Sequence, residues 1–203
     1  MAGNILEYLR DIKNTKLREN IEEMISDQQQ IETDYLRARQ NRTLTMAQER
    51  DFRKNYSASL ELITQAIPAD NGLIEYYEMQ NNAFNKGWSI GDMPLICAMV
   101  GVARSVRDKE TDPAVIASVD QIMNDLKTKQ ITTLADRNTL INDMAIFANG
   151  LNANQYSASK ADLSMCIEDA IKRPIHYAEY PQDEELKKQA QLRGELDKDI
   201  AGV

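Results

Sequence analysis

Two stripes of mostly apolar residues, each stepping alternately by four and three, organise this chain. The first reads Leu17, Ile21, Met24, Gln28, Ile31, Tyr35 and Ala38. The second reads Leu140, Met144, Phe147, Leu151, Asn154, Ala158, Ala161 and Met165. That spacing lines side chains along one seam of a long helix, and such a seam suits a partner helix. Gln28 and Asn154 interrupt the seams with polar groups, which fix register at a cost in stability. The pattern predicts an all-α protein. Two long heptad helices, over about 4–40 and 133–173, form a coiled-coil-like hairpin stalk. A small helical insertion over about 45–129 lies between them.

Local signals punctuate this scheme. Asn4 is placed to cap a helix running through Ile5, Leu9 and Ile12 into the first stripe. Thr45 and Gln48 fit a capping box, in which each side chain satisfies the other's free backbone donor. The helix they open carries Phe52, Tyr56, Leu60 and Ile63 on one face, and Pro68 requires it to end near Ile67. A short aromatic helix follows over 73–84, with Gly87 as its C-terminal cap and Trp88 in the loop beyond. Pro94 opens the most apolar helix, whose wide arc of Leu95, Ile96, Met99, Val100, Val102, Ala103 and Val106 belongs in the centre of a core. Asp112 and Pro113 start the next helix, and Pro174 ends the last long one. The domain reading is a helical domain over 1–174, then a linker and a charged helical tail over 175–203, expected at the periphery.

Composition narrows the function classes. With 203 residues, 42% of them hydrophobic, the chain can build one sizeable core. Eight glycines and five prolines are too few for an all-β or loop-rich fold. A net charge of -8 is a poor footprint for nucleic acid or an anionic membrane, so no nucleic-acid partner is expected. Arg37, Arg39, Arg42, Arg50, Arg53 and Lys54 form a local basic strip, read as a solvated helix face. The longest apolar run, near 93–102, is half of the ~20 residues of a membrane span, so no transmembrane segment is expected. The N-terminus is charged by its seventh residue and does not read as a signal peptide. The protein is expected in the cytoplasm as made, and export without a cleaved signal is compatible with that.

No pattern points to catalysis, a cofactor or a metal. His176 is the single histidine and lies in the linker. No paired-cysteine, zinc-helix, dinucleotide or phosphate-loop motif occurs. Cys97 and Cys166 sit in apolar helical contexts, as small buried hydrophobes do, and their spacing gives no disulfide framework. Tyr76, Tyr77, Phe84 and Trp88 place much of the aromatic area within a short stretch, more than a short helix buries, and so mark a candidate interface. The expected function is a non-enzymatic helical structural or interaction protein that self-assembles or docks on protein partners, as an oligomer. The alternative is an adaptor, chaperone or phage or virus accessory protein binding one client. A third reading builds a cofactor-free enzyme site from Tyr76, Tyr77, Trp88 and Asp92.

The layout resembles the filament and needle-tip proteins of type III secretion systems. The residues that carry the likeness are the two stripes, the run Ile67-Pro-Ala-Asp to Leu73-Ile-Glu-Tyr76, and Arg137-Asn-Thr139. It implies an intramolecular coiled coil, a small central domain, self-assembly and signal-less export.

Overall fold

Helices begin where a side chain can satisfy their free backbone donors. In the computed structural model, which describes residues 2–41 and 44–194, Asn14 caps α2 (Thr15–Gln40) by accepting from the Leu17 N–H. Capping boxes open α3 (Met46–Ala66) at Thr45 and Gln48, and α7 (Leu134–Gly150) at Thr133 and Asp136. Asp112 caps α6 (Pro113–Thr128), whose first residue is a proline that needs no donor. The remaining helices are α1 (Ala2–Arg10), α4 (Leu73–Asn85), α5 (Met93–Lys109), α8 (Ser157–Lys172) and α9 (Glu184–Leu192), with 3-10 turns at Ile90–Asp92 and Tyr177–Glu179. Among the described residues there is no strand.

The helices form an all-α bundle in which most touch several others. α5 is its axis: it packs against α4, α6 and α8 and buries Leu95, Ile96, Met99, Val100, Val102, Ala103 and Val106. α4 ends in a Schellman motif. The Trp88 N–H reaches the Ala83 carbonyl, and the Gly87 N–H reaches that of Phe84. Gly87 holds the required positive φ of 104°. This cap turns the chain inward, so that Trp88 lies wholly in the core.

The hairpin stalk does not form. The expected first long helix is broken between α1 and α2, and Asn4 falls inside α1 rather than at a cap. The expected last long helix is broken at 151–156, through the middle of its heptad stripe. The break has local causes. Leu151 turns extended after Gly150, and Asn152 bends the chain by accepting from the Asn154 N–H. Lys160 donates to the carbonyls of Asn149 and Leu151, which α7 leaves unpaired at its end. Tyr156 then ties the turn to the end of α5 by donating to Glu110 at 2.9 Å.

The seam residues are accordingly divided among different neighbours. α2 packs chiefly against α3, burying Ile21, Gln28 and Tyr35 together with Ile25, while Leu17, Met24 and Ile31 are half-buried. Leu140, Met144 and Leu151 are buried where α7 meets α6 and α8, and Phe147 is half-buried. Asn154 is exposed in the turn and Met165 points to solvent. The chain beyond 174 continues into the core through Tyr177, Ala178 and Tyr180, and α9 buries Leu186 and Ala190. Residues 195–203 of the expected tail lie outside the described residues. Among the described residues, no helix is long and apolar enough to cross a membrane.

Candidate functional site

Polar chemistry concentrates in the interior around Asp92, at the end of the 3-10 turn before α5. Arg137 on α7 reaches it with Nε at 2.9 Å and Nη2 at 2.7 Å. Arg173, just past α8, reaches it with Nε at 3.0 Å and Nη2 at 2.8 Å, and the Tyr180 hydroxyl donates at 3.2 Å. Asp92 is fully buried and Arg137 is 2% exposed. Burial alone would raise the Asp92 carboxyl, but the hydrogen bonds from Arg137 and the charge of Arg173 outweigh it and hold the group below its ordinary value. A carboxylate this fully engaged has no lone pair left to take a proton from a substrate. It works as an anchor joining the start of α5, α7, the end of α8 and the chain that leads to α9.

The anchor extends through Arg173 to a second acid. Arg173 Nη1 donates to Glu179 at 2.7 Å, and the other Glu179 oxygen lies 3.1 Å from Arg39 of α2. Glu179 also accepts from the His176 N–H, while His176 Nδ1 accepts from the Ala178 N–H, so the turn is capped from both sides. Beside Arg39 lie Tyr35 of α2 and Glu49 of α3, both buried. Glu49 has Arg53 at 4.0 Å as its ion-pair partner, and neither of its oxygens makes a hydrogen bond of good geometry. Burial, then the negative charge of Glu179, raises the Glu49 carboxyl to about 7. The basic strip is therefore not one solvated face: Arg39 is turned inward, and Arg53 stacks on Phe84 and donates to the carbonyls of Phe84 and Trp88. Arg42 lies outside the described residues.

The surface offers a different feature. An open groove of about 620 Å³ runs between α6 and α7. Small residues Ala114, Ala117 and Ser118 line it on α6, and Phe147 and Gly150 on α7. Ile146 also lines it, with 65% of its surface exposed, and Asp143 is its one charged lining residue. A smaller cavity of about 70 Å³ lies between α4, α5 and α8, against Tyr77, Gln80 and Cys97. Burial raises the thiols of Cys97 and Cys166, and both are unpaired, so neither has thiolate character.

The expected aromatic interface is not on the surface. Tyr76, Tyr77, Phe84 and Trp88 are exposed by 5% or less, because α4 is sandwiched between α3, α5 and α6 rather than perched on a stalk. Tyr76 meets Tyr8, and Phe84 meets Tyr56 at a ring separation of 5.1 Å. Of the residues once grouped as a cofactor-free site, Asp92 belongs to the buried anchor. The sequence pattern assigned Arg137, Arg173, Glu179 and Glu49 no part in a site. The one local signal was a run of charges at positions where the apolar pattern requires buried residues. Among the described residues, no group of three or more His, Cys, Asp or Glu side chains is placed to hold a metal ion. No protein-family model, curated protein or solved structure gives a match to this chain.

Proposed function

We propose that this chain is a non-enzymatic interaction protein that associates with a second copy of itself through the α6–α7 face. The observation that carries the reading is this groove: an exposed apolar side chain, Ile146, and a hollow lined in part by small residues share one face. A two-fold interface needs such self-complementarity, since each copy must offer both the knob and the hole. Charge opposes a like partner least on this face. Two chains of net charge -8 repel at most approaches, and the groove contributes a single charged residue. The expected likeness to secretion filaments rested in part on paired stripes, and those helices pack elsewhere. Assembly is retained on the strength of the groove alone.

Sedimentation velocity across a concentration series tests the proposal. The native chain is expected to shift from monomer to dimer, and Ile146→Glu to hold it monomeric while leaving its helical content unchanged. A chain that stays monomeric to high micromolar concentration, or a dimer indifferent to Ile146→Glu and to Ala117→Trp, overturns the reading. An adaptor that seats a client helix in this groove is then the next reading to test.

A further inference from the structure

The segment that carries the chain from α8 to α9 is held against α2 by charge, and beside that ion pair lies a buried acid of α3 with no hydrogen bond of good geometry to either oxygen, the Tyr35 hydroxyl being its nearest hydrogen-bonding neighbour. Glu49 is 2% exposed. Its own helix supplies Arg53 at 4.0 Å, and Arg53 is itself held by the carbonyls of Phe84 and Trp88 at the end of α4. From α2 it faces Tyr35 and Arg39, and from the 3-10 turn it faces Glu179. Arg173, at the end of α8, bonds Glu179 from the other side and also bonds Asp92, to which Tyr180 donates. Arg39 is therefore shared: it lies 3.1 Å from Glu179 and also within the field of Glu49.

We propose that Glu49 is a proton-operated latch on the segment 175–183. Neutral, it leaves Arg39 to Glu179 and keeps the segment docked on α2 and α3. Ionised, it competes for Arg39 and repels Glu179, and the segment loosens together with α9. The direction follows from the burial. A docked Glu49 ionises only at about 7, and undocking, which takes away the negative charge of Glu179, moves it back toward 4.5. The docked state thus binds the proton more tightly. Docking weakens progressively as pH rises from about 4.5 toward 7, and the weakening is complete above that. His176, the other titratable side chain at the start of the turn, accepts from the Ala178 N–H through Nδ1.

Amide hydrogen exchange over residues 177–190, corrected for intrinsic rates, tests the latch in the full chain and in Glu49→Gln. Both forms keep His176, so the ratio of their opening constants isolates Glu49. That ratio is expected to rise by more than ~10-fold between pH 5 and pH 8, with the amides of α5 unaffected. A flat ratio, or an equal change in α5, overturns the proposal. If Glu49→Gln does not fold, the carboxyl-carbon NMR titration of Glu49 in the native chain decides. A midpoint near 7 shared by the amides of 177–180 supports the latch, and a midpoint near 4.5 overturns it.

Discussion

Arg173 grips Asp92 from 81 residues away, Nε on one oxygen at 3.0 Å and Nη2 on the other at 2.8 Å. Arg137 makes the same two-pronged contact from α7. Two guanidinium groups on one buried carboxylate leave an excess positive charge, which Glu179 offsets through Arg173. The arrangement stands or falls on Asp92. Asp92→Asn keeps the shape and removes the charge, leaving Arg137 buried with no carboxylate. It should cost about 3–5 kcal/mol in urea unfolding. Replacing Asp92 and Arg137 together by apolar residues should cost less than the two single changes added, since neither charge is then stranded.

The same contact sets the acid side of the stability profile. The Asp92 carboxyl is held below its ordinary 3.8 in the folded chain. A depressed acid stabilises the fold above its unfolded value and loses that contribution as pH falls through the folded one. The urea midpoint should therefore drop as pH falls below about 4, and the drop should be shallower in Asp92→Asn. An identical slope in the two proteins would remove Asp92 as its source.

Gly87 is the backbone counterpart. Its φ of 104° disfavours any side chain, and an added Cβ would come 2.0 Å from the Ile131 carbonyl oxygen. That carbonyl cannot easily retreat, because the Ile131 N–H is bonded to the Lys86 carbonyl at 2.7 Å. Gly87→Ala should cost about 2 kcal/mol or more. Gly150→Ala, with nothing within 4 Å, is the control and should change stability by less than ~1 kcal/mol. Thermal melts of the two variants check the contrast.

What the sequence made legible was local. Thr45 with Gln48, Asp112 with Pro113 and Gly87 each declare an element boundary through neighbours a few residues away, and each does so in the structure. The wide apolar arc of α5 likewise announces a helix surrounded on most sides. The pairing of helices was not legible in the stripes. A four-three repeat is compatible with a coiled-coil seam and with one face of a helix in a bundle, and over three heptads the two periods diverge by only about 60°. Ile25 buried beside Ile21 and Gln28 shows the bundle face. The break at 151–156 combines the local bend at Asn152 with the Lys160 bond and with the Tyr156–Glu110 bond, which spans 46 positions. The Asp92 anchor joins residues 45 to 88 positions apart, and no local window contains it.

Asp183 shows why the charged C-terminal segment is not an appendage. One of its oxygens accepts from the N–H groups of Glu185 and Leu186 and so caps α9. The other accepts from the Leu134 N–H at 2.8 Å, the first residue of α7. A single carboxylate thus starts two helices, and both helix dipoles favour its negative charge. Behind it, Leu186 and Ala190 are buried, so α9 contributes apolar burial as well as a cap. Asp183→Ala should lose about 1 kcal/mol at each helix start, near 2 kcal/mol in all. Asp183→Asn should fall between, since its one carbonyl oxygen can serve only one of the two helices. Ending the chain after Gln182 should cost more than either, because the burial goes with the caps. Urea unfolding of the three forms gives the order directly. A truncated chain as stable as the intact one would mean that α9 rests on the core without supporting it.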